Sequence, residues 1–299
     1  MKAKPYLYAG TLALAAATGV SLWTAQLGAA PPSAPKVPAL QVDPNWPKMP
    51  LPVAGDFGTT LKLSTANGKP LPWVTGEVAG TCVDSQDHIF TVNRGNLVAP
   101  ETNANGPTAI SSPTVIEYDP AGNVVNAWNP TGRQAQIHGC FIDYQDNIWI
   151  AGNGDGIVEK WTHDGSTMLL QIGTQGVCDN PPANTCGNSG GNPLANMSHT
   201  LLNEPANVWV DPGVDPQSGK RGAVYIADGY GNHRVVVFQD NQDGTATYLR
   251  QWGDVAGTVN NPLTDFPGLF AAGDGGHPHC VVGGNDGMMY VCDRADDRI

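Results

Sequence analysis

Short apolar runs alternate with polar turns from about residue 79 to the end of the chain. Four segments share one order: a small residue or His, an aliphatic run, a turn, a second apolar run and a polar turn. They are residues 79–95, 138–161, 206–238 and 279–299. Runs rich in Val, Ile and aromatic residues between Asp, Gly and Asn turns are typical of β-hairpins. The pattern therefore predicts a repeated strand–turn–strand unit.

Two further strands follow in three of the units. A third strand is predicted at residues 114–118, 157–161 and 235–238, and a fourth at 124–128, 168–172 and 248–252. Four antiparallel strands repeated radially make the blade of a β-propeller. We therefore predict an all-β propeller of about four blades over residues 51–299. Because the last unit stops where its third strand should begin, we expect a ring of six blades of which this chain is a C-terminally truncated part.

Composition and the N-terminus add a location to this fold. The 37 Gly and 25 Pro favour turns over long helices. Lys2 and Lys4 precede an apolar run over residues 11–23, and small residues follow at 28–30. This order is typical of a cleaved secretory signal. We predict a signal peptide over residues 1–30, a Pro-rich lead-in over 31–50, and an exported protein of the periplasm or the extracellular space.

Charge and cysteine content limit the partners. The net charge of −12 argues against nucleic acid, and against stable membrane association after signal cleavage. A small molecule, a peptide, a metal ion or a protein partner remains open. The six cysteines of an exported chain favour disulfides. Cys178 and Cys186 flank a short polar loop and are predicted to pair, whereas the pairing of Cys82, Cys140, Cys280 and Cys292 stays open.

Histidines recur in alternate repeats. The residue five places before the first turn is Ala79, His138, Ala206 and His279 in the four units. These positions begin the innermost strands, so alternate blades of a six-bladed ring would bring three His to the axis, as in catalytic zinc sites. The third would lie beyond Ile299, and the structural alternative is that both His only begin strands. His277 is a competing ligand, whereas we expect His88, His163, His199 and His233 in solvated turns.

Two further residues follow second strands at the same end of the blades. Arg94 offers a planar fork suited to a carboxylate, and Tyr230 beside a metal and an Arg suits a general base. The structural alternatives are a turn salt bridge for Arg94 and a half-exposed aromatic ring for Tyr230. Arg234 we expect to be structural, between blades.

The repeats resemble the NHL family of six-bladed propellers, through IADGYGNHRVVVF and VCDRADDRI. The segments IHGCFIDYQDNIWI, YIADGYGNHRVVVF, GHPHCVVGGNDGMMYVCDRADDRI and VDSQDHIFTVNRG further resemble peptidyl-α-hydroxyglycine α-amidating lyases. That resemblance implies cleavage of a peptidyl-α-hydroxyglycine into an amide and glyoxylate. It implies Zn²⁺ on His138 and His279, and catalytic roles for Tyr230 and Arg94. It also implies a structural Ca²⁺ on the backbone carbonyls of Thr81 and Cys140.

Three functions follow, in order of preference. The first is a metal-dependent lyase acting on a carbinolamide. The second is an exported, non-catalytic propeller that serves as a scaffold for a ligand or a protein. The third is a calcium-dependent sugar-lactone hydrolase, which ranks lower because His rather than Glu, Asn or Asp stands at the alternating inner positions.

Overall fold

A computed structural model describes residues 40–58, 68–96, 102–103, 106–130, 136–187, 192, 194–253, 270, 278–294 and 297–299. The predicted signal peptide at residues 1–30, the first part of the lead-in and His277 lie outside these residues. Asn45–Ile299 forms one compact unit. Among the described residues, no helix has the length and apolar character needed to cross a bilayer.

Strands account for nearly all regular structure in the described residues, beside two 3₁₀ turns at Asp56–Gly58 and Asn153–Asp155. They are β1 Trp73–Val74, β2 Val78–Val83, β3 Ile89–Asn93, β4 Thr102–Asn103, β5 Gly106–Pro107, β6 Ile110–Ser111, β7 Val115–Tyr118, β8 Val124–Trp128, β9 Cys140–Ile142, β10 Ile148–Gly152, β11 Ile157–Trp161, β12 Met168–Gly173, β13 Asn207–Val214, β14 Arg221–Asp228, β15 Arg234–Asp240, β16 Ala246–Gly253, β17 Cys280–Gly283 and β18 Met289–Cys292.

Three four-stranded antiparallel sheets confirm the all-β propeller class. Their strand orders are β2-β3-β7-β8, β9-β10-β11-β12 and β13-β14-β15-β16, and β17 pairs with β18 as the start of a fourth. We number these blades 1 to 4. The predicted third and fourth strands agree with the observed ones to within two residues at each end. Completion of a six-bladed ring stays a prediction.

The first strands of successive blades lie against each other, β2 with β9, β9 with β13 and β13 with β17. Glycine permits this approach, because a Cβ on Gly80 would lie 2.8 Å from the carbonyl oxygen of His138. A Cβ on Gly139 would likewise lie 2.9 Å from that of Ala206. The first strands are therefore the inner strands, as the sequence predicts.

Apolar layers between the blades form the core. One layer, including Trp149, Val158 and Val236, joins blades 2 and 3, and another, including Phe90, Val115 and Ile150, joins blades 1 and 2. The middle strands are covered on both faces, which is why β10 and β15 are buried along their whole length. Each such aliphatic side chain contributes about 1.5–3 kcal/mol by leaving water.

Three disulfides reinforce the sheets. Cys82–Cys140 joins the inner strands of blades 1 and 2, and Cys280–Cys292 joins β17 to β18. Cys178–Cys186, the pair expected from the sequence, closes a turn in the long connection between blades 2 and 3. The sequence left these first two pairings open, because one is set by the contact between blades 1 and 2 and the other by strand pairing within blade 4.

The segment before blade 1 is part of its core. Trp46 packs on Tyr118 with ring centroids 5.5 Å apart, and Leu51, Leu71 and Trp73 are buried in the same cluster. The short strand β1 pairs in parallel with β6, which the repeat pattern does not predict. Residues 45–50 of the expected lead-in therefore pack against the first blade.

Two faces follow from the antiparallel order. Connections that precede each first strand and follow each second strand lie at one end of the blades, which we call the loop face. Hairpin turns between first and second strands, and between third and fourth strands, lie at the opposite end, the hairpin face. The long connection between β12 and β13, described at residues 174–187, 192 and 194–206, precedes β13 and therefore belongs to the loop face.

His233 is a correction to the sequence analysis. It was expected in a solvated turn, but its side chain is fully buried, and its backbone N–H donates to Asn196 Oδ1 at 2.8 Å. The long connection before β13 covers His233. It is held there by Arg234, also fully buried, which donates to the carbonyl oxygens of Ser198 and Leu201. Burial by a distant loop is not visible in a local pattern.

Candidate active site

Four blades place one predicted residue each on the loop face. Arg94 follows β3, His138 precedes β9, Tyr230 follows β14 and His279 precedes β17. Since all four positions lie at the same end of their strands and next to the inner strands, the fold brings distant parts of the chain together.

Tyr230 stands between the two histidines. Its hydroxyl oxygen lies 3.2 Å from Nε2 of His138 and 3.2 Å from Nε2 of His279. The two imidazole rings lie edge to face with centroids 4.9 Å apart. Three of the residues singled out by the sequence therefore meet at one point.

Arg294 completes this group and was missed in the sequence. Its Nη1 donates to the Tyr230 hydroxyl oxygen at 3.1 Å, and its guanidinium lies 5.1 Å from the centre of the Tyr230 ring. A signal for it exists in the repeat register. Arg94 stands four residues after Phe90 and Arg294 four residues after Tyr290, so the two arginines occupy equivalent positions of blades 1 and 4.

Arg94 lies beside His138 and is held by a turn salt bridge. Its Nη1 donates to Glu77 Oε2 at 2.8 Å, and its Nε donates to the carbonyl oxygen of Ile137 at 3.3 Å. The side chains of Arg94 and Glu77 are 31% and 61% exposed. Because exposed ion pairs are weak, a ligand carboxylate can compete with Glu77 for this guanidinium.

The electrostatics of the site favour a neutral His138. Burial lowers the pKa of this imidazole, and the positive charges of Arg94 and Arg294 lower it further. Neutral imidazole nitrogen is the form that binds a metal ion. Two Nε2 atoms converging beside a phenol oxygen match the nitrogen and oxygen donors that zinc accepts, so the residues present fit a zinc site.

The long connection before β13 holds the backbone of Tyr230 by hydrogen bonds. The backbone N–H groups of Tyr230 and Gly231 donate to the carbonyl oxygens of Glu204 and Asn203. The backbone N–H of Asn203 in turn donates to Asp228 Oδ1, and Arg234 binds the other oxygen of Asp228. Arg234 is therefore structural, as expected, but it joins blade 3 to this connection.

The predicted calcium ligands lie on neighbouring inner strands. Thr81 is in β2 beside Cys82, which is bonded to Cys140 at the start of β9. The disulfide uses the side chain of Cys140 and leaves its backbone carbonyl unaffected. Calcium binding by the carbonyls of Thr81 and Cys140 stays a prediction.

A second group of potential metal ligands lies away from this site. It consists of Asp84, Glu117 and His163. Each residue contributes one ligand atom, and the three atoms lie within 4.8 Å of one another. His88, expected in solvent with His163, instead lies with Nδ1 2.6 Å from Glu117 Oε1. This acidic and His-containing group is a possible metal site.

Fold and geometry define an all-β propeller-type chain with a His–Tyr–Arg site on its loop face. No protein-family model matches the chain. It is 26% identical over 271 residues to peptidyl-glycine alpha-amidating monooxygenase B of Xenopus laevis, covering 87% of this chain and 24% of that protein. It is 24% identical over 261 residues to the Mus musculus enzyme, covering 83% of this chain and 22% of that protein. The chain thus spans about a quarter of the length of these relatives, to which it is distantly similar.

Solved structures with a similar arrangement include virginiamycin B lyase from Staphylococcus aureus. That structure is 13% identical, with a TM-score of 0.40, and the match covers 73% of this chain and 49% of that one. A glucose dehydrogenase is 14% identical with a TM-score of 0.39, covering 71% of this chain and 59% of that one.

Proposed function

We propose that the loop face carries a metal-dependent lyase site that cleaves the carbinolamide C–N bond of a peptidyl-α-hydroxyglycine to an amide and glyoxylate. The observation that carries the proposal is the Tyr230 hydroxyl, 3.2 Å from Nε2 of both His138 and His279 and 3.1 Å from Arg294. The distant similarity to amidating enzymes supports the same chemistry.

His138 and His279 are the residues that would hold zinc. A bound zinc ion supplies Lewis-acid polarisation of the substrate's α-hydroxyl. The neutral state of His138 keeps its nitrogen lone pair available at neutral pH. The disulfide Cys280–Cys292 fixes His279, since the His279 N–H donates to the carbonyl oxygen of Cys292 at 2.8 Å.

Tyr230 acts as the base in this proposal. Arg294 donates to its oxygen at 3.1 Å, which places a guanidinium charge beside the atom that accepts the proton. The phenolate oxygen takes the proton of the α-hydroxyl, the hydroxyl oxygen forms the carbonyl of glyoxylate, and the C–N bond breaks. Tyr230 then gives this proton to the departing amide nitrogen and regains its starting state, so the reaction neither consumes nor releases protons overall.

Arg94 binds the carboxylate of the substrate. Its guanidinium lies next to His138 through the Ile137 carbonyl, and its planar fork suits two carboxylate oxygens. Substrate binding would replace Glu77 at Nη1. The partner is therefore a small or peptidic acid rather than a nucleic acid.

Export is part of the proposal. Three disulfides fit a protein of the periplasm or extracellular space. The N-terminal signal peptide would supply the route.

The test is release of glyoxylate from a peptidyl-α-hydroxyglycine by the zinc-loaded chain. Tyr230→Phe should lower kcat by about 10²–10⁴-fold, because it removes the proton acceptor. Tyr248→Phe makes the same chemical change on β16, where the ring stacks on His199, and should leave kcat unchanged. Equal activity of Tyr230→Phe and the parent would overturn the mechanism. No release by the parent, with zinc bound, would favour the scaffold function.

A further inference from the structure

The group formed by Asp84, Glu117 and His163 lies on the hairpin face, away from the site above. Asp84 stands in the β2–β3 turn, Glu117 near the end of β7, and His163 in the turn between β11 and β12 of the next blade. These positions belong to the ends of the strands opposite to those that carry Tyr230 and the His pair. The group therefore bridges blades 1 and 2 independently of the proposed lyase site.

Blade 2 contains the equivalent group with its own cation. Repeat register aligns Asp84 with Asp143, Glu117 with Lys160 and His163 with Asp240. The Lys160 ammonium lies 3.3 Å from Asp143 Oδ2 and 2.8 Å from Asp240 Oδ2, and all three side chains are nearly fully buried. A positive charge thus occupies the centre of this blade-to-blade contact.

Blade 1 replaces that cation by a carboxylate. The side chains of Asp84 and Glu117 are 0% and 6% exposed. Among the described residues, their charged or ionisable partners are the imidazoles of His88 and His163. Buried carboxylates require a compensating positive charge. Where blade 2 supplies Lys160, blade 1 presents two acids and two imidazoles.

The Oδ2 atoms of Asp84 and Asp143 have different partners. Both residues accept backbone N–H groups through Oδ1, from residues two and four places on. Oδ2 of Asp143 additionally accepts the indole N–H of Trp149 at 2.9 Å, but the equivalent residue in blade 1 is Phe90. Oδ2 of Asp84 instead faces Nε2 of His163 at 2.8 Å.

We propose that Asp84, Glu117 and His163 bind a divalent transition-metal ion that joins blades 1 and 2, in the place that the Lys160 ammonium takes between blades 2 and 3. One imidazole and two carboxylates suit Zn²⁺ better than Ca²⁺ or Mg²⁺, which prefer oxygen alone. His88 orients Glu117 through its 2.6 Å contact, as outer partners of metal ligands do. The alternative is an ion-pair cluster in which protonated His88 and His163 supply the charge.

The experiment counts zinc bound to the full chain, with the first site removed. His138→Ala/His279→Ala serves as the background, is incubated with ZnCl₂ and gel-filtered, and its zinc is measured by mass spectrometry. We expect about one zinc per chain, and a rise of about 5 °C in Tm at saturating zinc. A background that binds no zinc would overturn the proposal and leave the ion-pair cluster.

Further variants in the same background localise the ion. His163→Gln should abolish both zinc binding and the zinc-dependent rise in Tm. Glu117→Lys copies blade 2 and should also bind none, while its Tm without zinc equals or exceeds that of the background. His199→Gln is the matched control and should retain the zinc, because His199 stacks on Tyr248 of blade 3. Retention of zinc by His163→Gln would also overturn the proposal, and this variant decides if Glu117→Lys does not fold. Because the background lacks the axial histidines, neither result depends on the lyase proposal.

Discussion

At the scale of single residues, the loop-face site depends on a few close approaches. Tyr230 is oriented by backbone hydrogen bonds from its own loop to the connection that precedes β13, and the residue that follows it has no side chain. Gly231 fills that place because a Cβ there would overlap the side chain of Asn203.

Gly231→Ala should therefore disturb the site without touching a catalytic group. The added methyl meets Cγ, Oδ1 and Nδ2 of Asn203, and overpacking of this kind costs about 1–3 kcal/mol. We expect a lower Tm and a several-fold loss of kcat in the glyoxylate assay. Asn203→Ala removes the three overlapping atoms, so Gly231→Ala/Asn203→Ala should recover much of both. Failure of the second substitution to restore either quantity would contradict this packing.

At the scale of elements, disulfides and ion pairs hold hairpins and connections in register. Cys82–Cys140 closes a chain separation of 58 residues across two blades, whereas Cys178–Cys186 closes one of 8 within a connection. Arg250 on β16 donates to Oδ2 of Asp215, in the β13–β14 turn, at 2.6 Å and to the hydroxyl of Tyr225, on β14, at 2.7 Å.

Removal of the two disulfides should have unequal costs. The chain-entropy model gives about 4 kcal/mol for the longer separation and about 2.5 kcal/mol for the shorter. Cys82→Ala/Cys140→Ala should thus lower the free energy of unfolding more than Cys178→Ala/Cys186→Ala, as measured by urea denaturation. The opposite ranking would mean that the connection over residues 174–206 contributes more to global stability than the contact between blades 1 and 2.

The Asp215–Arg250 pair should make stability depend on pH. Burial raises the pKa of Asp215, but the hydrogen bond from Arg250 and the N–H groups of Gln217 and Ser218 outweigh it and hold the pKa below its ordinary value of 3.8. A lowered carboxyl pKa stabilises the fold above the unfolded value, and this stability is lost as pH falls through the folded value.

Arg250→Gln should consequently cost about 1 kcal/mol near neutral pH and less at pH about 3, where Asp215 is increasingly protonated. Arg221→Gln is the control, because Arg221 donates to the carbonyl oxygen of Pro212, which does not titrate. Urea denaturation at the two pH values measures the difference. A cost of Arg250→Gln that is independent of pH would remove the ion pair as its cause.

At the scale of the whole molecule, local pattern and long-range packing contribute in different ways. Strands β7 to β12 follow from the apolar runs, because β-hairpins are local. The convergence of His138 and His279 also follows, because equivalent positions in a radial repeat share an axis. Burial of His233, the packing of Trp46 and the pairing of β1 with β6 depend on contacts with distant segments, which no local pattern encodes. The sequence could also have identified Arg294, because the repeat register places it in blade 4 at the position that Arg94 occupies in blade 1.

The division of the site among four blades has a consequence for refolding. Blades 1, 2 and 3 supply Arg94, His138 and Tyr230, and blade 4 supplies His279 and Arg294. The site is therefore complete only when all four blades have come together. Each four-stranded blade is a meander of neighbouring strands and can regain its hydrogen bonds early. Recovery of catalytic turnover after dilution from urea should therefore lag behind recovery of the far-ultraviolet β signal, and the lag would time the docking of the last blade.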